Sequence, residues 1–264
     1  MLNSEQHTRY SRHLRLEDFG TEGQERLLRG KVLLIGAGGL GSPCALYLAA
    51  SGVGTIGIVD GDFVSLNNLH RQVIHFSDDL GKKKVCSASD KISRINPDVK
   101  VETYPTFLTQ DNALDIISPY DFVIDCTDTF ASKYLVNDAC VMAGKAFCCG
   151  GVLKWGGHVM THVPGTACYR CLFPEPPERS QVETCSTVGV LSPAVGIMGT
   201  IQACEALKYL AQTGQLLTNS LLTFDARSME FMHMEFDRNE DCPLCGKNPA
   251  ITELQEYAFM PCKK

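Results

Sequence analysis

A chain of 264 residues, 44% hydrophobic and 20% charged, is long enough for one large α/β domain with a real core. Its net charge of -6 argues against a nucleic-acid partner, which calls for a basic stripe, and no apolar run approaches the roughly 18 residues of a membrane span. The polar opening from Met1 to Arg15 has no signal-peptide core, so a cytoplasmic location is expected.

The first 30 residues read as two short helices punctuated by Gly20 and Gly30. Residues 31–35 are a continuous apolar run that suits a buried parallel strand. A helix over 40–50 and a strand over 55–59, closing on Asp60, complete one βαβ unit. Helix 81–95, strand 99–104, helix 109–117, strand 121–125, a helix to Ala143 and strand 146–149 follow. This alternation predicts a doubly wound, Rossmann-like and mostly parallel sheet.

After Gly150-Gly151 the pattern changes: strands with hairpin character over 157–163 and 221–236, with one long helix over 193–210 between them. Pro and charge in 173–187 predict a mobile crossover loop. The expected organisation is one domain over 1–246, with N-terminal helices 1–30, a nucleotide-binding half 31–150 and a second half 151–246 on the same sheet, then a tail 247–264.

The segment Gly36-Ala-Gly38-Gly39-Leu-Gly41 lies between a strand and a helix, where backbone N–H groups and the helix dipole hold phosphate. Asp60, at the end of the next strand, is placed to accept hydrogen bonds from a ribose. The polar run Asn67, Asn68, Leu69, His70, Arg71 and Gln72 and the cluster Lys82–Lys84 then favour a triphosphate over a dinucleotide, because its charge must be offset before a carboxylate approaches. For Lys82 and Lys83 the simpler reading is a solvated helix start. Asp128, just past a central strand, is a candidate Mg²⁺ ligand, with helix capping as the plainer alternative.

Thirteen cysteines without a secretion signal argue against a disulfide framework. Cys44, Cys86, Cys126, Cys140 and Cys204 on apolar segments read as small buried hydrophobes, as do Cys148 and Cys149. The knuckles Cys168-Tyr-Arg-Cys171 and Cys242-Pro-Leu-Cys245 match a closed tetrahedral Zn²⁺ site. Cys185, on the expected loop and close before a helix, is a candidate nucleophile, or else an incidental loop residue.

Together with Arg9-Tyr-Ser-Arg12 and Gly189-Val-Leu-Ser-Pro193, these motifs resemble the ThiF/MoeB/HesA branch of the ubiquitin-activating enzyme superfamily. The resemblance covers the chain to about residue 246. It implies an ATP-dependent adenylyltransferase. The substrate is a small ubiquitin-like sulfur-carrier protein whose C-terminal Gly-Gly carboxylate attacks the α-phosphate of MgATP. The adenylate then becomes a thiocarboxylate for thiamine, molybdopterin, cysteine or tRNA thiolation. The resemblance places the glycine loop, Asp60, Asn68, Arg71, Lys84 and Asp128 at ATP, and Arg12 in the site of the second subunit of a homodimer. It makes the zinc structural. Thr129 departs from the family, where asparagine is common, and no rhodanese-like segment follows the second knuckle, so a separate persulfide protein is the expected sulfur donor.

Two rival readings remain at this point. A nicotinamide-dependent dehydrogenase explains the glycine loop and Asp60 but not Arg71, Lys84, Asp128 or the knuckles. Adenylation of a peptide or small-molecule carboxylate explains all of them.

Overall fold

A computed structural model describes residues 1–177 and 183–256. The apolar runs alternate between two cores. Val32 and Leu34 of β1 (Lys31–Ile35) join one cluster, while Leu33 and Ile35 join the other. A strand buried on both faces needs no polar alternation, which is why these segments are apolar throughout.

The eight strands form one sheet in the order β3-β2-β1-β4-β5-β6-β7-β8. β2 (Thr55–Val59), β3 (Lys100–Tyr104), β4 (Phe122–Asp125) and the start of β5 (Ala146–Leu153) pair parallel with β1 or one another. β6 (Gly156–His162), β7 (Ser220–Asp225) and β8 (Glu230–Glu235) extend the sheet antiparallel. The chain winds outward from β1 to β3 and then returns to place β4 on the other side of β1. That reversal opens a crevice at the carboxyl ends of β1 and β4, the usual ligand position in such sheets.

Helices α3 (Gly41–Ser51), α4 (Lys84–Ile95) and α9 (Ser192–Ala211) contribute to one core; α5 (Ala113–Ile117) and α6 (Phe130–Met142) contribute to the other. α9 starts with Pro193 in its first turn and ends where Gln212 adopts φ 57°. Helices α1 (Ser4–Arg9) and α2 (Gly20–Arg29) precede the sheet; the Asn3 side chain caps α1 and accepts from the Gln6 N–H. Among the described residues no helix is long and apolar enough to cross a membrane.

Several boundaries differ from the sequence expectation. β5 runs through Gly150-Gly151 to Leu153, because both glycines keep extended backbone and pair with Val159 and His158. Residues 81–83 stay outside α4: Gly81 has φ +80° and Lys83 bridges to Phe63. The hairpin character expected over 221–236 is realised as two antiparallel strands, β7 and β8, joined at a turn where Met229 has φ 58°. Of the crossover segment, residues 178–182 lie outside the described residues, and Cys185–Val188 form the short helix α8. Cys86 and Cys204 are exposed, against expectation, because they lie on the solvent side of α4 and α9; Cys44, Cys126, Cys140, Cys148 and Cys149 are buried.

Candidate nucleotide and acyl site

The glycine loop is built by close approach. A Cβ on Gly41 would lie 2.1 Å from the Gly36 carbonyl oxygen, and Gly36 itself has φ +103°, where L side chains are strained. Ala37 is clamped on both sides. Its N–H donates to Asp60 Oδ2 at 2.8 Å, and its carbonyl is 2.9 Å from Nε2 of the buried His75. Asp60 Oδ1 accepts from the Asp62 N–H at 2.8 Å. Asp60 therefore first holds the loop, and only its remaining lone pairs are open to a ribose.

A cavity of about 1050 Å³ opens over this loop and is lined by Gly36, Gly38, Gly39, Asp60, Arg71 and Lys84. Asp128, Thr129 and Cys185 line it as well. Lys84 is 6% exposed, and its Nζ is 3.0 Å from Asp62 Oδ2, whereas Lys82 and Lys83 are exposed. The basic cluster thus divides as the simpler reading expected, with only Lys84 turned inward. Arg71 donates to the Asn67 carbonyl at 2.9 Å and lies 2.8 Å from His70 Nε2.

The helix cap is Thr129, whose Oγ1 accepts from the Ser132 N–H at 3.1 Å. This settles the alternative for Asp128. Its carboxylate is exposed at the cavity and makes no hydrogen bond or ion pair among the described residues. Cys185 opens α8, half-buried, with Sγ 3.4 Å from the Val152 carbonyl.

Other sequence candidates lie outside the cavity lining. Gly41 starts α3 behind the loop. Asn67 and Asn68 are held at a one-turn 3₁₀ helix by Ser65 Oγ at 2.6 and 2.8 Å, and His70 Nδ1 lies 2.9 Å from Ser192 Oγ. Local hydrogen bonds fix this turn, so Arg71 reaches the cavity while Asn67, Asn68, Leu69 and His70 do not. Arg12 is exposed and away from the cavity of its own chain.

The sequence reading missed the floor. Lys133 Nζ pairs with Asp125 Oδ2 at 3.1 Å and also donates to the Gly150 carbonyl. Burial, the largest single influence, would lower the Lys133 pKa, but the charge and hydrogen bond of Asp125 together with Cys149 and Tyr169 hold the ammonium above its usual range. Asp125 Oδ1 in turn accepts from Thr127 N–H at 2.9 Å and Thr127 Oγ1 at 2.6 Å, which shapes the turn carrying Asp128. A lysine eight residues after an aspartate carries no such signal in one dimension. Gln72, 5% exposed and the last residue of the polar run 67–72, also lines the cavity, and its Oε1 has no partner among the described residues.

Beside the end of α6, where Val141 and Met142 pack against them, the Sγ atoms of Cys168, Cys171, Cys242 and Cys245 all lie within 4.8 Å of one another. Cys168 to Cys242 is 3.7 Å and Cys171 to Cys245 is 3.4 Å. Sulfurs bound tetrahedrally at about 2.3 Å from zinc stand about 3.8 Å apart, so the four thiols fit the ion.

With this geometry in place, comparison with known proteins decides the kinship. The ThiF family pattern matches residues 10–244. The chain belongs to the ThiF family. A relative from Thermus thermophilus named sulfur carrier protein adenylyltransferase is 43% identical over 94% of this chain and 94% of its own length. The SAMP-activating enzyme E1 of Haloferax volcanii is 44% identical over 98% of this chain and 96% of its own. Adenylyltransferase and sulfurtransferase MOCS3-1 of Zea mays is 46% identical over 95% of this chain, which spans only 54% of that longer relative. Among solved ThiF-fold structures, E. coli MccB with MccA-N7isoASN superposes with a TM-score of 0.82 at 23% identity, covering 93% of this chain and 76% of that one. At that identity the likeness speaks for the fold.

Proposed function

We propose that this ThiF-family chain is an adenylyltransferase acting on the C-terminal Gly-Gly carboxylate of a small ubiquitin-like sulfur-carrier protein. The observation that carries the reading is the convergence of Arg71, Lys84 and Asp128 on one cavity over the glycine loop, in a chain 43% identical to a protein of that name.

A carboxylate is already ionised at neutral pH and needs no base to become a nucleophile. Its oxygen forms a bond to the α-phosphorus of ATP, the bond to the bridging oxygen breaks, and pyrophosphate leaves with the electron pair. The obstacle is charge and alignment, so the cavity supplies cations. The N–H groups of the glycine loop and the start of α3 hold the phosphates, while Arg71 and Lys84 neutralise the charge that builds on the leaving group. Asp128 would hold Mg²⁺, which when bound offsets further phosphate charge. The four-cysteine cluster would hold a structural Zn²⁺ that ties the C-terminal turn to α7 (Tyr169–Leu172).

Two subunits complete the site in this reading. Arg12, exposed and remote from its own cavity, reaches the triphosphate of the second copy in a homodimer. Sulfur arrives from a separate persulfide protein, with Cys185 at the cavity rim as a covalent relay for the acyl group. The work takes place in the cytoplasm. The test is ATP–pyrophosphate exchange with purified carriers ending in Gly-Gly. Exchange is expected only with Mg²⁺ and a free C-terminal carboxylate, and exchange indifferent to any such carrier would overturn the reading.

A further inference from the structure

At the end of the cavity farthest from the glycine loop, two polar side chains face the same space. His158 of β6 and Thr223 of β7 are register partners on adjacent antiparallel strands, so their side chains share one face of the sheet. Both line the cavity. His158 Nε2 and Thr223 Oγ1 are buried and have no hydrogen-bond partner among the described residues. Buried polar atoms in folded proteins are nearly always paired, and those left unpaired call for an explanation. Leu153, Leu221 and Phe173 line the same cavity, beside the hydroxyl-bearing Tyr169.

The neighbouring strand keeps the imidazole in place. A Cβ on Gly151, the β5 residue paired with His158, would fall 2.6 Å from the ring's Cε1, so the ring lies directly against that glycine. Burial lowers the His158 pKa to about 4, with Lys133 adding to the effect and Asp125 opposing it. The ring is therefore neutral at physiological pH, with one donor and one acceptor nitrogen. Such a ring matches a peptide N–H or carbonyl and not a phosphate, which the cationic end of the cavity takes.

Strand spacing then gives the distance. Neighbouring strands lie about 4.8 Å apart, so β6 is about 10 Å and β7 about 14 Å from β4, beside which the phosphates sit. An extended chain covers about 3.3 to 3.6 Å per residue. We propose that His158 and Thr223 form a subsite for the main chain of the entering C-terminal segment, hydrogen-bonding it about three and four residues before the reacting carboxylate. A main-chain subsite leaves side-chain identity open at those residues, so that the enzyme reads an extended conformation there. This inference rests on the adenylation reading for the direction of the segment.

The first arm of the test needs no carrier. Protein with ¹⁵N-labelled histidine is titrated with an acetylated pentapeptide ending in Gly-Gly, and His158→Gln assigns the signal. The His158 ring resonances shift with the pentapeptide and stay still with acetyl-Gly-Gly, which is too short to reach β6. A still signal at millimolar pentapeptide, or an equal shift with acetyl-Gly-Gly, overturns the subsite. The second arm is kinetic. His158→Phe raises the KM for the carrier about tenfold, the scale of one lost hydrogen bond, and leaves the KM for ATP unchanged. His158→Gln, which keeps a donor and an acceptor, recovers most of the loss. An equal rise in both KM values means general damage to the cavity and refutes the assignment. Absence of exchange in the wild type with every carrier would instead strike the adenylation reading, while the spectroscopic arm still decides the subsite.

Discussion

Lys84 and Asp128 stand in contrasting environments that suit different tasks. Lys84 is buried against Asp62, a fixed cation at the wall of the cavity, whereas Asp128 sits exposed with both oxygens open. Replacing either with alanine is expected to slow adenylation about a hundredfold, the scale for one lost electrostatic group. Single-turnover measurement of pyrophosphate release checks this, and near-wild-type rates in either variant would remove that residue from the mechanism. Lys133 behaves differently because its partner Asp125 is 1% exposed. Lys133→Ala strands a buried carboxylate, so stability should fall by about 3 to 5 kcal/mol. A urea titration of Lys133→Ala beside Lys133→Arg measures it, the arginine variant keeping most of the stability.

The buried histidines add a pH dependence whose sign follows from burial. His158 is lowered to about 4, and burial also lowers His75 and His162 below the ordinary histidine value. Near pH 7 these rings are neutral folded and unfolded alike. As pH falls below about 6.5 the unfolded chain takes up protons that the folded chain refuses, so stability declines toward pH 4. Asp79 acts in a later window. Burial alone would raise its pKa, but Lys91, the Phe76 N–H and Lys82 together hold it well below the carboxylate range. Its contribution is present above about pH 4 and is lost as the pH drops further. Thermal midpoints should therefore fall from about pH 6.5 downward, less steeply in His158→Gln, and a flat profile over that range would contradict the neutral rings.

At the scale of elements, the turn between β4 and α6 concentrates the design. Asp125 shapes it, Thr129 caps the helix that follows, and Asp128 is thereby left to the cavity. Thr129→Ala should cost about 1 kcal/mol of stability through the lost cap, measurable by thermal melting. A larger loss in nucleotide affinity than in stability would show that Thr129 also touches the ligand. Cys185 on α8 is the other element-scale question. Cys185→Ala should keep pyrophosphate exchange, while thiocarboxylate formation fails if the thiol relays the acyl group. Unchanged delivery of thiocarboxylated carrier would leave Cys185 an ordinary cavity residue.

At the scale of the whole molecule, two features tie distant parts together. The cysteine cluster joins residues 168–171 to 242–245, so Zn²⁺ removal should lower the thermal midpoint more than it alters ATP binding. Metal analysis together with melting before and after chelation checks this. Arg12 tests the subunit arrangement. Mixing Arg12→Ala with Asp128→Ala, each strongly impaired alone, should restore part of the activity when subunits exchange, because one site of the hybrid is intact.

The alternating α/β order, the glycine loop, the cysteine knuckles and the acid after β4 were legible in one dimension, because each is a local pattern in which spacing alone expresses the constraint. Glycines mark where backbones touch, and apolar runs mark strands covered on both faces. The sequence did not separate Asn67 to His70 from Arg71, since a turn's own hydrogen bonds decide which side chain enters the cavity. Nor did it reveal the Asp125–Lys133 pair, the clamp of His75 on Ala37, or the unpaired His158 and Thr223. Those depend on which strands lie side by side. Adjacency in the sheet, from β4 to β7, is set by the winding of the whole chain and has no signature in local spacing.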